Sequence, residues 1–125
     1  MKKLTANGAK KRCWNLCREI VLKRDGDACQ HCGKHVEGSD RQVSHVIPRS
    51  ANGRMSVEPL NCKVMCYHCH LNWWHKNPVE AGQWFRETFP ARWAMIELLH
   101  AATRHRGTIR ITEWREIESK LRGML

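Results

Sequence analysis

Cysteines at positions 29, 32, 66 and 69 constrain this chain more than any other feature: C-x-x-C, thirty-three residues, then C-x-x-C. Each pair can fill two corners of one tetrahedral ion. Together Cys29, Cys32, Cys66 and Cys69 close a four-sulfur shell of the kind structural zinc takes. A closed shell holds a fold and does no chemistry. The chain has 125 residues, most naturally one domain, and a domain that short gains much from a metal staple. The total of seven cysteines is odd, and four of them stand in matched pairs. That argues against a complete disulfide framework and for thiolate ligands in a reducing compartment. Cys13 and Cys17, four apart on an apolar helical face, read as small core hydrophobes, and Cys62 reads the same way.

Lys and Arg number 22 against 12 Asp and Glu, a formal net charge of +10. Such a basic excess on a small domain favours a polyanion partner, and nucleic acid is the commonest. The hydrophobic share of 42% and charged share of 27% are ordinary for a globular protein and speak against wholesale disorder. The opening MKKLTANGAKKRCW is basic but no apolar run follows it, which does not suit a signal peptide. No stretch approaches the roughly 20 apolar residues that span a bilayer. The expectation is a cytoplasmic protein.

Residues 1–11 read as a flexible basic tail. A helix follows over about 12–23, with Cys13, Leu16, Cys17, Ile20 and Val21 as its apolar stripe, and RDGD ends it at Gly26. Gly33 stands where a thiolate turn needs positive φ. RQVSHVIP, residues 41–48, suits a short strand. Asn52-Gly53 predicts a hairpin turn, with a second strand near Met55–Val57. From Cys62 the pattern predicts a helix carrying the second knuckle to about Lys76. Asn77, Pro78 and Glu80 form a helix-start signature, and that helix stops before Pro90. Another, to Gly107, has Trp93, Ile96, Leu99 and His100 on its apolar face. TIRI suits a short strand, and Thr112 is placed to cap a last helix closed by Gly123.

Between the two knuckles lies VSHVIPRS, residues 43–50. Its His45 stands on the strand, Asn61 just ahead of the second knuckle, and His70 directly after Cys69. A fold closed by zinc would bring the His45 strand against the helix carrying His70, with Asn61 at its entrance. That is the arrangement a general base and a metal ligand need around one phosphodiester.

The ordered set CQHCGK … VSHVIP … N-x(4)-C-x-x-C-H resembles the HNH nucleases, also called ββα-metal or His-Me finger nucleases. More narrowly, CYHCHLNWWHKNPVEAGQWF is similar to small phage and prophage HNH proteins of the NinG/Rap recombination type. The resemblance covers about residues 17–90. It implies an α+β fold, a zinc-stapled ββα-metal core with an N-terminal helix and a C-terminal helical extension. A single domain over 1–125 would divide into the tail at 1–11, the core at 12–76 and the extension at 77–125.

The resemblance also implies roles. His45 is the general base that activates water, Asn61 braces the loop and fixes the base, and His70 binds one divalent cation at the scissile phosphate. A free imidazole, titrating near ~6.5, accepts a proton at neutral pH without special tuning. A cation stabilises the extra charge of the transition state, and magnesium, manganese or another divalent ion would serve. Ser44 stands where many members have a metal-binding acidic residue or histidine, and a hydroxyl is a poor ligand. The cation site is then water-rich, degenerate, or borrows another residue: His75 or His68 nearest, Asp40 and Glu58 further off. His75 is five residues from His70, whereas four would align on a regular helix.

Arg49 and Arg54 flank the active loop and Lys76 follows Trp73 and Trp74, so these basic residues are candidates to hold DNA. The two tryptophans suit base stacking or core packing, while Trp84, Phe85, Phe89 and Trp93 read as the core of the extension. The function implied is metal-dependent DNA endonuclease, leaving a 5′ phosphate and 3′ hydroxyl, in phage or prophage recombination, repair or packaging. The alternatives are a non-catalytic zinc module that binds nucleic acid and a protein-interaction domain.

Overall fold

In the computed structural model, which describes residues 3–125, a long first helix is the floor on which the other elements lie. This helix, α1, spans Ala6–Asp25. It starts at Ala6 rather than near Arg12, because Thr5 caps it: its extended backbone lets Oγ1 accept from the Gly8 N–H at 3.0 Å, meeting one of the orphan donors of a first turn. Residues 6–11 of the expected tail are therefore helical; residues 1–2 of it lie outside the described residues. Ala9, Cys13, Leu16, Cys17 and Val21 form one buried stripe, spaced as an amphipathic helix requires. Gly26, at φ 67°, ends it and returns its N–H to the Leu22 carbonyl, a backbone state that glycine adopts without steric cost.

Two strands pair antiparallel over this helix: β1, Gln42–His45, and β2, Cys62–Met65. The register sets Ser44 opposite Lys63 and His45 opposite Cys62. Every residue of β2 is buried. Cys62 faces α1, its sulfur 4.0 Å from that of Cys17. Lys63 faces the other way, with Nζ 3.3 Å from the Trp74 ring centre. A π-helix over His68–Trp74 follows, then α2 (Pro78–Thr88), α3 (Pro90–Thr103) and α4 (Ile111–Gly123). The order is α+β, and the two strands with the helix after them match a ββα-metal core.

Several expectations change. The second strand is Cys62–Met65, and Met55–Val57 forms a 3-10 turn. Asn52 makes no hairpin; its buried side-chain oxygen accepts from the Arg54 and Met55 N–H groups and starts that turn. Asn77 gives α2 no side-chain cap, and TIRI forms no strand. Thr112 lies inside α4, whose cap position is Arg110, and α3 stops at Thr103 rather than Gly107.

Two cores result. Trp114, Ile117 and Leu121 of α4 pack with the α1 stripe and β2. Phe85 and Ile96, from α2 and α3, close around Met55. The first core fixes the sheet to α1. The second fixes the loop after β1, which is where the candidate site lies.

Candidate active site

The knuckles meet as the spacing requires. The sulfurs of Cys29, Cys32, Cys66 and Cys69 all lie within 4.8 Å of one another. Thiolates at ~2.3 Å around zinc would stand about 3.8 Å apart, so the cluster fits a structural zinc ion. Gly33, at φ 76°, allows its own N–H to reach the Cys29 carbonyl at 2.9 Å. Burial raises the Cys29 thiol, but backbone N–H groups of Cys32, Cys66 and His31 outweigh it and hold it down to about 7. His31 Nδ1 lies 3.2 Å from the Cys69 sulfur, and its ring stacks on Trp73 at 3.7 Å. Trp73 is thereby committed to the zinc lobe. Cys13, Cys17 and Cys62 are all fully buried in the first core.

His45 ends β1. Its Nε2–H donates to the Ser56 carbonyl at 2.8 Å, which leaves Nδ1 as the proton acceptor. Trp14 of α1 stacks against the ring at 5.1 Å, and the His45 carbonyl accepts from Trp74 Nε1–H at 3.1 Å. The imidazole is held by the Ser56 carbonyl and Trp14, and the backbone beneath it by Trp74.

Asn61 is fully buried and clamps the loop that supplies the Ser56 carbonyl. Its Oδ1 accepts from the Ile47 N–H at 2.7 Å; its Nδ2 donates to the carbonyls of Ile47 at 3.0 Å and Met55 at 2.9 Å. The chain of contact runs from Asn61 through Met55 and Ser56 to His45. Asn61→Ala leaves these buried backbone groups without partners at about 1–3 kcal/mol for each one that does not re-pair. A loss of about 2–4 kcal/mol in unfolding free energy is expected, read by denaturant unfolding of the zinc-loaded protein.

His70 and His75 meet because the helix between them is not α. In a π-helix the hydrogen bonds run five residues apart, and here the His75 N–H reaches the His70 carbonyl at 3.2 Å. Five-residue spacing is thereby brought onto one face. The two Nε2 atoms lie 3.1 Å apart. Two imidazole nitrogens bound to one ion at ~2.1 Å and a right angle would stand about 3.0 Å apart, so the pair fits a divalent cation. Burial first, then the nearby His75, Lys63 and His45, push His70 down to about 4. At neutral pH its imidazole is uncharged.

Ser44 plays no part here. It is fully buried and its hydroxyl accepts from Lys63 Nζ at 3.2 Å. Burial pushes the Lys63 ammonium well below the usual lysine range. Asp40 pairs with Lys34 at 2.9 Å and accepts from the Tyr67 N–H, and Glu58 accepts from the Leu60 N–H; both carboxylates are already engaged. His68 is exposed. Among the described residues, the four cysteines are the only close group of three or more His, Cys, Asp or Glu ligands.

His45, His70 and His75 line one groove of about 760 Å³, with Arg49 and Arg86 beside them. Arg54 instead lines a separate cleft with Lys10, Arg104 and Arg106. Lys76 is exposed and does not line the groove. Arg86 was not among the sequence candidates. Its signal was the four-residue spacing of Pro78, Gly82 and Arg86 along α2, all three of which line the groove.

Residues 29–73 match the family model described as HNH endonuclease. The match contains His45, Asn61 and His70 and ends two residues short of His75. No curated protein and no solved structure matches the chain.

Proposed function

From the HNH endonuclease domain that residues 29–73 form, we propose that this protein is a divalent-cation-dependent DNA endonuclease with His45 as general base. One observation carries it. An imidazole oriented by a backbone carbonyl shares a groove with two imidazole nitrogens spaced for one cation. In this mechanism His45 Nδ1 takes a proton from water as the water oxygen bonds to phosphorus. The Ser56 carbonyl holds the opposite N–H and favours the imidazolium that forms. Arg49 and Arg86 hold the phosphate oxygens. The P–O3′ bond breaks and O3′ takes a proton from solvent water, leaving a 5′ phosphate and a 3′ hydroxyl. A bound cation stabilises the charge that develops on the phosphate and the leaving oxygen. His70 and His75 would hold it, and two nitrogen donors favour manganese, nickel or another first-row transition ion over magnesium.

DNA as the partner rests on the charge of +10 and on the two groove arginines. Affinity should fall as salt rises, each neutralised phosphate adding about 0.9 to the slope of log K against log salt. Arg86→Ala should reduce that slope by about one, measured by fluorescence anisotropy; an unchanged slope would remove Arg86 from the DNA surface. His70→Ala should lose cleavage and regain part of it at high cation concentration.

Phage or prophage recombination, repair or packaging, in a cytoplasm where thiols stay reduced, suits the free cysteines and the motif. A second reading, a non-catalytic zinc module, draws on Ser44, which turns a usual ligand position into the core. It requires tight DNA binding and no cation-dependent cutting.

A further inference from the structure

Gln42 stands at the start of β1, behind His70. Its carboxamide bridges two fixed partners. Nε2 donates to the Ser39 carbonyl at 3.0 Å, and Oε1 lies 2.9 Å from His70 Nδ1. A carbonyl oxygen accepts and never donates, so the amide nitrogen must face Ser39 and the amide oxygen must face His70. The amide oxygen also only accepts, so the single proton of neutral His70 sits on Nδ1. Nε2 is then a bare lone pair, and it is 3.1 Å from His75 Nε2. Histidine in water favours the opposite arrangement, with the proton on Nε2. Three consecutive hydrogen-bonding groups thus decide which nitrogen of His70 can bind a cation.

We propose that Gln42 is a positioning residue of the cation site, holding His70 as the Nδ1–H tautomer so that Nε2 is presented with that of His75. The proposal rests on the reading of His70 and His75 as the cation site. A metal-bound histidine generally donates its other ring N–H to a carbonyl or carboxylate, and loss of such a partner weakens metal binding by about 10–100-fold. Here the partner is an amide on the neighbouring strand. Ser39 matters only through Gln42, by preventing the amide from turning over.

Two measurements on zinc-loaded protein test this, and neither depends on cleavage. The first is a long-range proton–nitrogen correlation spectrum of ¹⁵N-labelled histidine, without added cation. His70 is expected to be protonated on Nδ1, to lose that preference in Gln42→Leu, and to keep it in Gln42→Glu, whose carboxylate still accepts. The second is calorimetric titration with manganese. Gln42→Leu should bind about 10–100-fold more weakly, and Gln42→Glu should regain the parent affinity. A parent His70 protonated on Nε2 would overturn the proposal. So would equal loss of affinity in both variants with the tautomer unchanged, which would make Gln42 a structural prop. Unaltered manganese affinity in His70→Ala would instead remove the cation site on which the proposal rests, whatever the tautomer.

Discussion

His45→Ala is expected to slow DNA cleavage by about 10²–10⁴-fold, the range general-base catalysis supplies, while zinc content, folding and DNA affinity stay close to the parent's. The geometry explains why the loss should be confined to chemistry. The His45 side chain hydrogen-bonds the Ser56 carbonyl, stacks on Trp14 and lies beside the Cys62 thiol. The bonds that hold the loop belong to Asn61, and the Trp74 contact uses the His45 backbone carbonyl, which alanine keeps. Single-turnover rates at saturating protein separate chemistry from binding. A rate equal to the parent's, with contaminating nuclease excluded by a His45→Ala/His70→Ala double variant, would remove His45 as the base.

Cys29→Ser and Cys69→Ser should each lose the zinc and the fold around it. A structural zinc in a small domain contributes about 10–16 kcal/mol of apparent binding free energy, against a net stability of about 5–15 kcal/mol for whole domains. Other ties to the fold are few and local, among them the Gln30 N–H to the Val64 carbonyl at 2.9 Å and the buried Val36 side chain. The first knuckle makes one isolated bridge, Ala28 with His35, and the second feeds directly into the π-helix. Without the ion, four thiols converge with no common partner, and the His31–Trp73 stack loses its anchor. The expected result is no bound zinc by metal analysis and collapse of amide-resonance dispersion for residues 29–73. Well-dispersed spectra in zinc-free protein would show that the sulfurs pack without a metal and would remove zinc as the scaffold.

The parts of this molecule legible in the sequence are those that local spacing dictates. The cysteine pairs, the stripe of α1 and the glycine turn at Gly33 follow from periodicity and backbone sterics alone. The β2 strand was not legible as a strand. Its CKVM segment runs straight into a helical knuckle, and the Cys62-to-Lys76 pattern reads as one helix until the pairing with β1 is seen. Lys63 adds to this, since a lysine in a fully buried strand runs against its usual place at the surface. His75 was named in the sequence as a partner for His70 but with a spacing that misaligns on an α-helix, and the two align only because the helix widens to π. Ser44 looked like a weakened ligand because it precedes His45, yet strand alternation turns it toward Lys63. Gln42 carried no motif signal, because its place depends on Ser39 and His70 together.

The most direct test of the account is cation-dependent cutting by protein whose zinc site is verified full. Labelled linear duplex, flap and branched DNAs would be incubated with zinc-loaded protein in manganese, nickel or magnesium, and after removal of the second cation. The expected result is cleavage of at least one substrate only when a second cation is present, leaving 5′ phosphate and 3′ hydroxyl ends, with zinc content unchanged. Tight binding of these DNAs with no cutting in any cation would contradict the account and make the protein a zinc-stapled binding module.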